Sequence, residues 1–244
     1  MRPFRSRSRS IVLCYHAVSD DWPSSLAVRP GQLRAHVAGL LSRGYRPATF
    51  TEAVRGRGLL AVTFDDAFHT VGSLALPVLR ELGVPATVFV PTAFPDGGGP
   101  LTWPGIEHWP GGPHEDELRC LTWGELADLA DLGWEIGSHT VTHPRLTTID
   151  DRRLSWELAH SKRTVEARLQ RPCSSIAYPY GDEDARVVAA ARQAGYLAAA
   201  ALPSRPHADE ALRWPRVGAY RRDNRLRLAA KTSPGVRRLR AAAG

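Results

Sequence analysis

The sequence predicts an α/β fold, a distorted (β/α) barrel of about seven or eight parallel strands, as a single domain over residues 1–244. Three observations predict it. Short apolar runs rich in β-branched residues alternate with stretches of helical periodicity, as parallel strands joined by crossover helices do. A length of 244 residues suits one barrel of this kind. The unusual polar residues His16, Asp65, Asp66, His139 and Tyr180 follow the ends of four different runs. A barrel gathers such positions at one face, which favours it over an open doubly wound sheet.

The elements follow in order. Ile11 to Tyr15 reads as the first strand, and a helix opens at Pro30 and closes at Gly44. Leu59 to Phe64 reads as a buried strand, Leu74 to Leu82 as a helix stopped by Gly83, and Ala86 to Val90 as the next strand. Residues 92–119 are rich in Gly and Pro and lack periodicity, which predicts a long surface loop; Trp103 and Trp109 there either line a groove or anchor the loop. Thr122-Trp123-Gly124-Glu125 has the form of a capping box, with Leu126, Leu129 and Leu132 on one helical face before Gly133. Trp134 to Gly137 is a short strand, Asp150 to Gln170 a helix, and Ser174 to Tyr178 a strand. A helix then ends near Gly195, followed by the small-residue run Tyr196 to Leu202 and a last short strand around Trp214 to Val217.

Composition narrows the classes. With 43% hydrophobic and 23% charged residues the chain is not extensively disordered, and no run approaches the apolar length that spans a bilayer. The apolar run after the basic segment 1–9 is shorter than a signal-peptide core, so the chain as written is expected to be cytoplasmic; a start further upstream would leave room for an export signal. Nearly all of the formal charge of +7 comes from arginine clustered in the first ten residues and between Arg213 and Arg240, the latter running into an arginine-rich C-terminal tail, about 222–244. No interleaved stacking aromatics accompany them, so no nucleic acid partner is expected and a solvated tail is the reading. Cys14, Cys120 and Cys173 are an odd number without paired metal spacing, which predicts buried or idle thiols rather than a disulfide framework.

Three motifs carry chemistry. Thr63-Phe64-Asp65-Asp66 puts two carboxylates directly after a strand. Neighbours on a strand face opposite ways, so both reach one site only if the chain turns there. Such a pair can divide cation binding from proton acceptance, or it can simply cap a helix. In Ser138-His139-Thr140-Val141-Thr142-His143-Pro144 two imidazoles four residues apart suit a divalent ion on one side of a single turn, without the glutamate of the zinc-peptidase motif. In Ala177-Tyr178-Pro179-Tyr180-Gly181-Asp182 a strand breaks at Pro179 and Gly181, either as a plain turn or as a corner that offers the Tyr180 amide to an oxyanion.

Together these residues resemble the polysaccharide deacetylase family, the group sharing the NodB homology domain (carbohydrate esterase family 4), from Ile11 to about Val217. The resemblance implies a distorted βα barrel, a divalent metal that is usually zinc, Asp65 as general base, and Asp66, His139 and His143 as ligands. The chain most resembles the circularly permuted branch that deacetylates poly-N-acetylglucosamine, which has a Tyr-His pair in its first strand, as in Leu13-Cys14-Tyr15-His16, and Ala-Tyr-Pro-Tyr-Gly where other members carry an arginine. No Leu-x-His triplet follows Tyr196, so His16 is the expected general acid, with His207 its rival. Ala67 stands where the family has glycine. Ala177 stands where it has arginine, and Arg216 is the expected substitute beside Asp65.

The expected activity is therefore hydrolysis of N-acetyl groups from an N-acetylated amino-sugar glycan, releasing acetate. Two other readings stay open: a non-catalytic carbohydrate-binding protein on the same scaffold, and a metal-dependent amidase acting on a non-sugar amide. A glycoside hydrolase needs carboxylates separated across a bond, which adjacent Asp65 and Asp66 do not offer.

Overall fold

The computed structural model describes residues 9–202, 211–233 and 235–236. The strands are β1 (Ile11–Tyr15), β2 (Ala17–Val18), β3 (Ala27–Val28), β4 (Arg46–Ala48), β5 (Leu59–Phe64), β6 (Ala86–Val90), β7 (Glu135–Ser138), β8 (Ser175–Ala177), β9 (Ala198–Ala201), β10 (Trp214–Pro215) and β11 (Val217–Gly218). The helices are α1 (Pro30–Leu41), α2 (Phe50–Arg55), α3 (Leu76–Glu81), α4 (Trp123–Asp131), α5 (Asp151–Leu169), α6 (Ala185–Gln193) and α7 (Arg225–Lys231). One parallel sheet runs in the order β10-β9-β8-β7-β6-β5-β1-β11, with β4 added on β5. Its two end strands belong to one short segment interrupted by Arg216. β10 pairs with β9 and β11 pairs with β1, so the eight strands nearly close into a barrel.

Strand alternation sorts the side chains into two layers. Ile11, Leu13 and Tyr15 of β1, Leu60, Val62 and Phe64 of β5, and Val88 and Val90 of β6 face outward into the large core beneath the helices. The intervening positions fill the lumen with Val12, Ala61, Phe89, Ala177, Ala198, Ala200 and Trp214. The interior is thus divided by the sheet. Small residues leave room for two large rings: Phe50 of α2 and Phe89 meet edge-on at 5.5 Å. Gly137 is required here, since a Cβ at that position would lie 2.6 Å from the Phe89 ring.

The amino-terminal end of the barrel is closed by α2. Glu135 ties that end together: its carboxylate accepts from the Thr51 amide (2.9 Å) and from the hydroxyls of Thr51 (2.5 Å), Ser175 (2.5 Å) and Thr87 (3.3 Å). Within the arginine-rich stretch, α7 is ordered, and its Leu228 is buried with Leu33, Val37 and Leu40 of α1. The basic segment 1–8, His207 and residues 237–244 lie outside the described residues. No helix among those described is long and apolar enough to cross a membrane.

Candidate active site

The opposite, carboxyl-terminal mouth collects the motif residues. Asp65 continues the inward register of β5, and its amide still bonds Tyr15 O at 2.9 Å. The chain then bends through two left-handed residues, Asp66 (φ 70) and Ala67 (φ 53), which brings the second carboxylate to the same mouth. This is the turn that adjacent carboxylates require. It also gives Ala67 a conformation that favours glycine, at a cost of about 1–2 kcal/mol for a residue with a Cβ.

His139 leaves β7 with its amide on Val90 O (2.8 Å). The two imidazoles meet through a loop with left-handed Thr140 (φ 68) and His143 (φ 59), not through a helical turn. Glu157 of α5, fully buried, fastens that loop by accepting from the amides of Val141 (2.8 Å) and Thr142 (3.0 Å) and from the Thr142 hydroxyl (2.5 Å).

Asp66 Oδ1 lies 3.3 Å from His139 Nε2 and 3.4 Å from His143 Nε2, with all three side chains buried. That oxygen has no hydrogen-bond donor among the described residues. Nδ1 of His139 sits 2.7 Å from Ala177 O, which assigns its proton to that side and leaves the Nε2 lone pair facing Asp66. Burial holds His143 down to about 3, against the pull of Asp66, and so keeps it neutral. Burial also lowers His139, but Asp66 and Asp65 more than offset it and push it up. An open carboxylate oxygen and two imidazole nitrogens directed at one point fit zinc or another divalent ion.

Asp65 stands beside this trio with a different partner. Arg216 grips it in a buried fork, Nη1 to Oδ1 at 2.6 Å and Nη2 to Oδ2 at 2.7 Å. Burial tends to raise the Asp65 carboxyl, yet the Arg216 charge outweighs it and holds the group well below the usual carboxylate range. The Cys14 thiol adds a contact to Oδ2 at 3.5 Å. His16, between β1 and β2, offers a ring nitrogen within 4.8 Å of Cys14 Sγ and an Asp65 oxygen. Its Nδ1 is buried without a hydrogen bond among the described residues.

Tyr180 (φ 61) forms a left-handed corner on the wall of a cleft of about 440 Å³ that also exposes His16, Asp65, Asp66, His139 and His143. Gly181 (φ 68) has Leu202 so close that a Cβ would lie 2.4 Å away. Pro179 is buried behind the corner and does not line the cleft. Sequence reasoning missed Glu157, although a glutamate on the apolar face of α5 between Leu154 and Leu158 was a visible misfit. It also left the place of Trp103 open; that ring stacks on His143 with centroids 4.0 Å apart.

A sequence model of the family Polysaccharide deacetylase matches residues 53–199. YxkH of Bacillus subtilis (strain 168), whose name places it among the polysaccharide deacetylases, is 27% identical over 193 residues, 76% of this chain and 61% of YxkH. The chain thus spans about three fifths of that relative's length. Among solved structures, the Streptococcus pyogenes deacetylase PplD in complex with acetate superposes with a TM-score of 0.75 at 20% identity, covering 92% of this chain and 98% of that one. IcaB from Ammonifex degensii superposes with a TM-score of 0.67 at 22% identity, covering 97% of both chains. At these identities both likenesses concern the fold.

Proposed function

This chain belongs to the polysaccharide deacetylase family, and we propose that it is a cation-dependent N-deacetylase of amino-sugar glycans, releasing acetate and leaving a free amine. The observation that carries the reading is the convergence of Asp66, His139 and His143 around an oxygen left without a donor. Those side chains would hold a divalent ion, zinc suiting the donor set best; when bound, such an ion polarises an acyl oxygen and acidifies water.

The chain's own groups do the rest. Asp65, kept ionised and aimed by Arg216, takes the proton of the water that attacks the acetamide carbon. The Tyr180 amide, at the corner set by Pro179 and Gly181, donates to the developing oxyanion. His16 delivers a proton to the departing amine as the carbon–nitrogen bond breaks. The Tyr15-His16 pair and the Ala177-to-Gly181 motif support an assignment to the branch acting on poly-N-acetylglucosamine, and the likeness of fold to IcaB is compatible with it.

The test is acetate release from a panel of N-acetylated glycans, poly-N-acetylglucosamine oligomers included, before chelation, after it and after zinc is restored. Release should vanish and return. Turnover that survives complete metal removal defeats the cation's role, and zinc binding without acetate from any glycan favours the carbohydrate-binding alternative.

A further inference from the structure

A second cavity, of about 640 Å³, adjoins the cleft and is walled by Arg29, Tyr220, Arg221 and Arg222 together with Pro23 and Ser25. Pro23 and Ser25 also line the cleft that exposes Asp65 and Asp66, so one loop borders both spaces. Arg221, at the middle of the wall, is held in place. The Arg221 amide donates to Ser25 O (2.9 Å), and its guanidinium donates to Asp20 O (2.8 Å), Ser19 O (3.1 Å) and Ala27 O (3.4 Å). Gln32 Nε2 fastens the same segment through Arg221 O (2.9 Å) and Asp223 O (3.2 Å).

The charges there are poorly compensated. Neither Arg221 nor Arg222 forms an ion pair with a carboxylate among the described residues, and the nearby Asp223 is taken up by Lys231. Arg29 meets Asp20 only at 3.9 Å, both side chains more than half exposed, a pairing that water screens. The Arg227 guanidinium donates to Arg222 O (3.1 Å). Guanidinium forks with free donors match carboxylate and phosphate oxygens.

We propose that this pocket is a subsite for an anionic substituent, a carboxylate or a phosphate, carried by the glycan next to the acetamido group that is hydrolysed. The proposal rests on the deacetylase reading for what happens in the adjoining cleft. Anion recognition by the arginine wall is measurable without it.

The experiment uses the zinc-loaded full chain, wild type and Arg29→Glu/Arg222→Glu, with three matched oligosaccharides: neutral N-acetylglucosamine oligomer, the same oligomer bearing a uronic carboxylate, and the same bearing a phosphomonoester. Arg221 is left intact because it holds the 19–27 loop. Calorimetric binding should favour one or both anionic oligomers by roughly threefold or more over the neutral one, as exposed ion pairs do, with the gap narrowing as salt rises. The double variant should lose most of that gap and keep its affinity for the neutral oligomer. The anion that binds tighter identifies the source. Equal affinity for neutral and anionic oligomers, or an equal loss of all three in the variant, overturns the subsite. Acetate release is read separately: anion preference without release from any oligomer sinks the deacetylase reading and keeps the subsite, whereas release without preference does the reverse.

Discussion

Glu135 and Asp66 are carboxylates at opposite ends of one barrel, and they are treated in opposite ways. Glu135 accepts four hydrogen bonds from α2, β6 and β8, so every part of it is engaged in closing the amino-terminal end. Asp66 keeps an oxygen with two imidazoles pointed at it and no donor among the described residues. The backbone differs as well. Of the seven non-glycine residues with positive φ among the described residues, five (Asp66, Ala67, Thr140, His143 and Tyr180) crowd the carboxyl-terminal mouth, whereas Thr51, Thr87, Glu135 and Ser175 are not among them. A saturated carboxylate on relaxed backbone joins elements, while an open one on left-handed backbone keeps an acceptor unspent.

That contrast can be broken most severely with Asp66→Ala. Zinc should no longer be retained, and acetate release should fall roughly a thousandfold or more, the several kcal/mol that a bound ion supplies. Stoichiometric zinc in this variant would remove the distinction between the two ends. Asp65→Asn should lower turnover by about 10²–10⁴-fold with zinc still bound, which metal analysis and acetate assays read together.

Arg216→Met leaves Asp65 buried without its partner and should cost about 3–5 kcal/mol of stability. The sign with pH follows from the depressed carboxyl. The pairing contributes fully above the unfolded carboxylate range and is lost as pH falls through the lower folded value. The stability gap between wild type and Arg216→Met should therefore narrow as pH falls, while the acid limb of kcat/KM moves to higher pH; coincident limbs would show that Asp65 does not depend on the guanidinium.

A finer test concerns His143, whose Nδ1 is buried with no hydrogen bond among the described residues. Its ring is steadied instead by Trp103 at 4.0 Å and Tyr180 at 4.8 Å. Trp103→Ala should weaken zinc by about 10–100-fold, the usual cost of removing a ligand's support, as read by competition with a chelating dye. The mildest change is Glu135→Gln, which should lower stability by about 1 kcal/mol and leave turnover alone. Impaired turnover at constant stability would give the far end a role in chemistry.

Much of this architecture is legible in the amino-acid order, because β1 and β5 to β9 announce themselves as apolar runs between helical stretches. β4 escapes since Arg46-Pro47-Ala48 is only three residues long, opens on an arginine and has a proline at its centre. α2 escapes although Thr49-x-x-Glu52 is a capping box like that of α4, and its box is formed in the structure. α7 hides in an arginine-rich stretch, with Leu228 its buried residue. In the site, Asp65 with Asp66 and His139 with His143 are visible because each pair is local. Arg216 is 151 residues from Asp65, and no spacing rule reaches that far; the absent arginine at Ala177 is the clue that points to it. Ala177 itself takes up little of the lumen that Arg216 enters from another strand, its guanidinium 5.6 Å from the Phe89 ring centre.

Arg216 also stands at the seam where the barrel's first and last strands meet, between one residue pair bonded to β9 and another bonded to β1. During translation that seam emerges long after Asp65, His139 and His143 have left the ribosome. On the proposed mechanism Asp65 therefore gains its guanidinium partner only once that final segment has paired. Recovery of acetate release during refolding would then report barrel closure rather than collapse of the core.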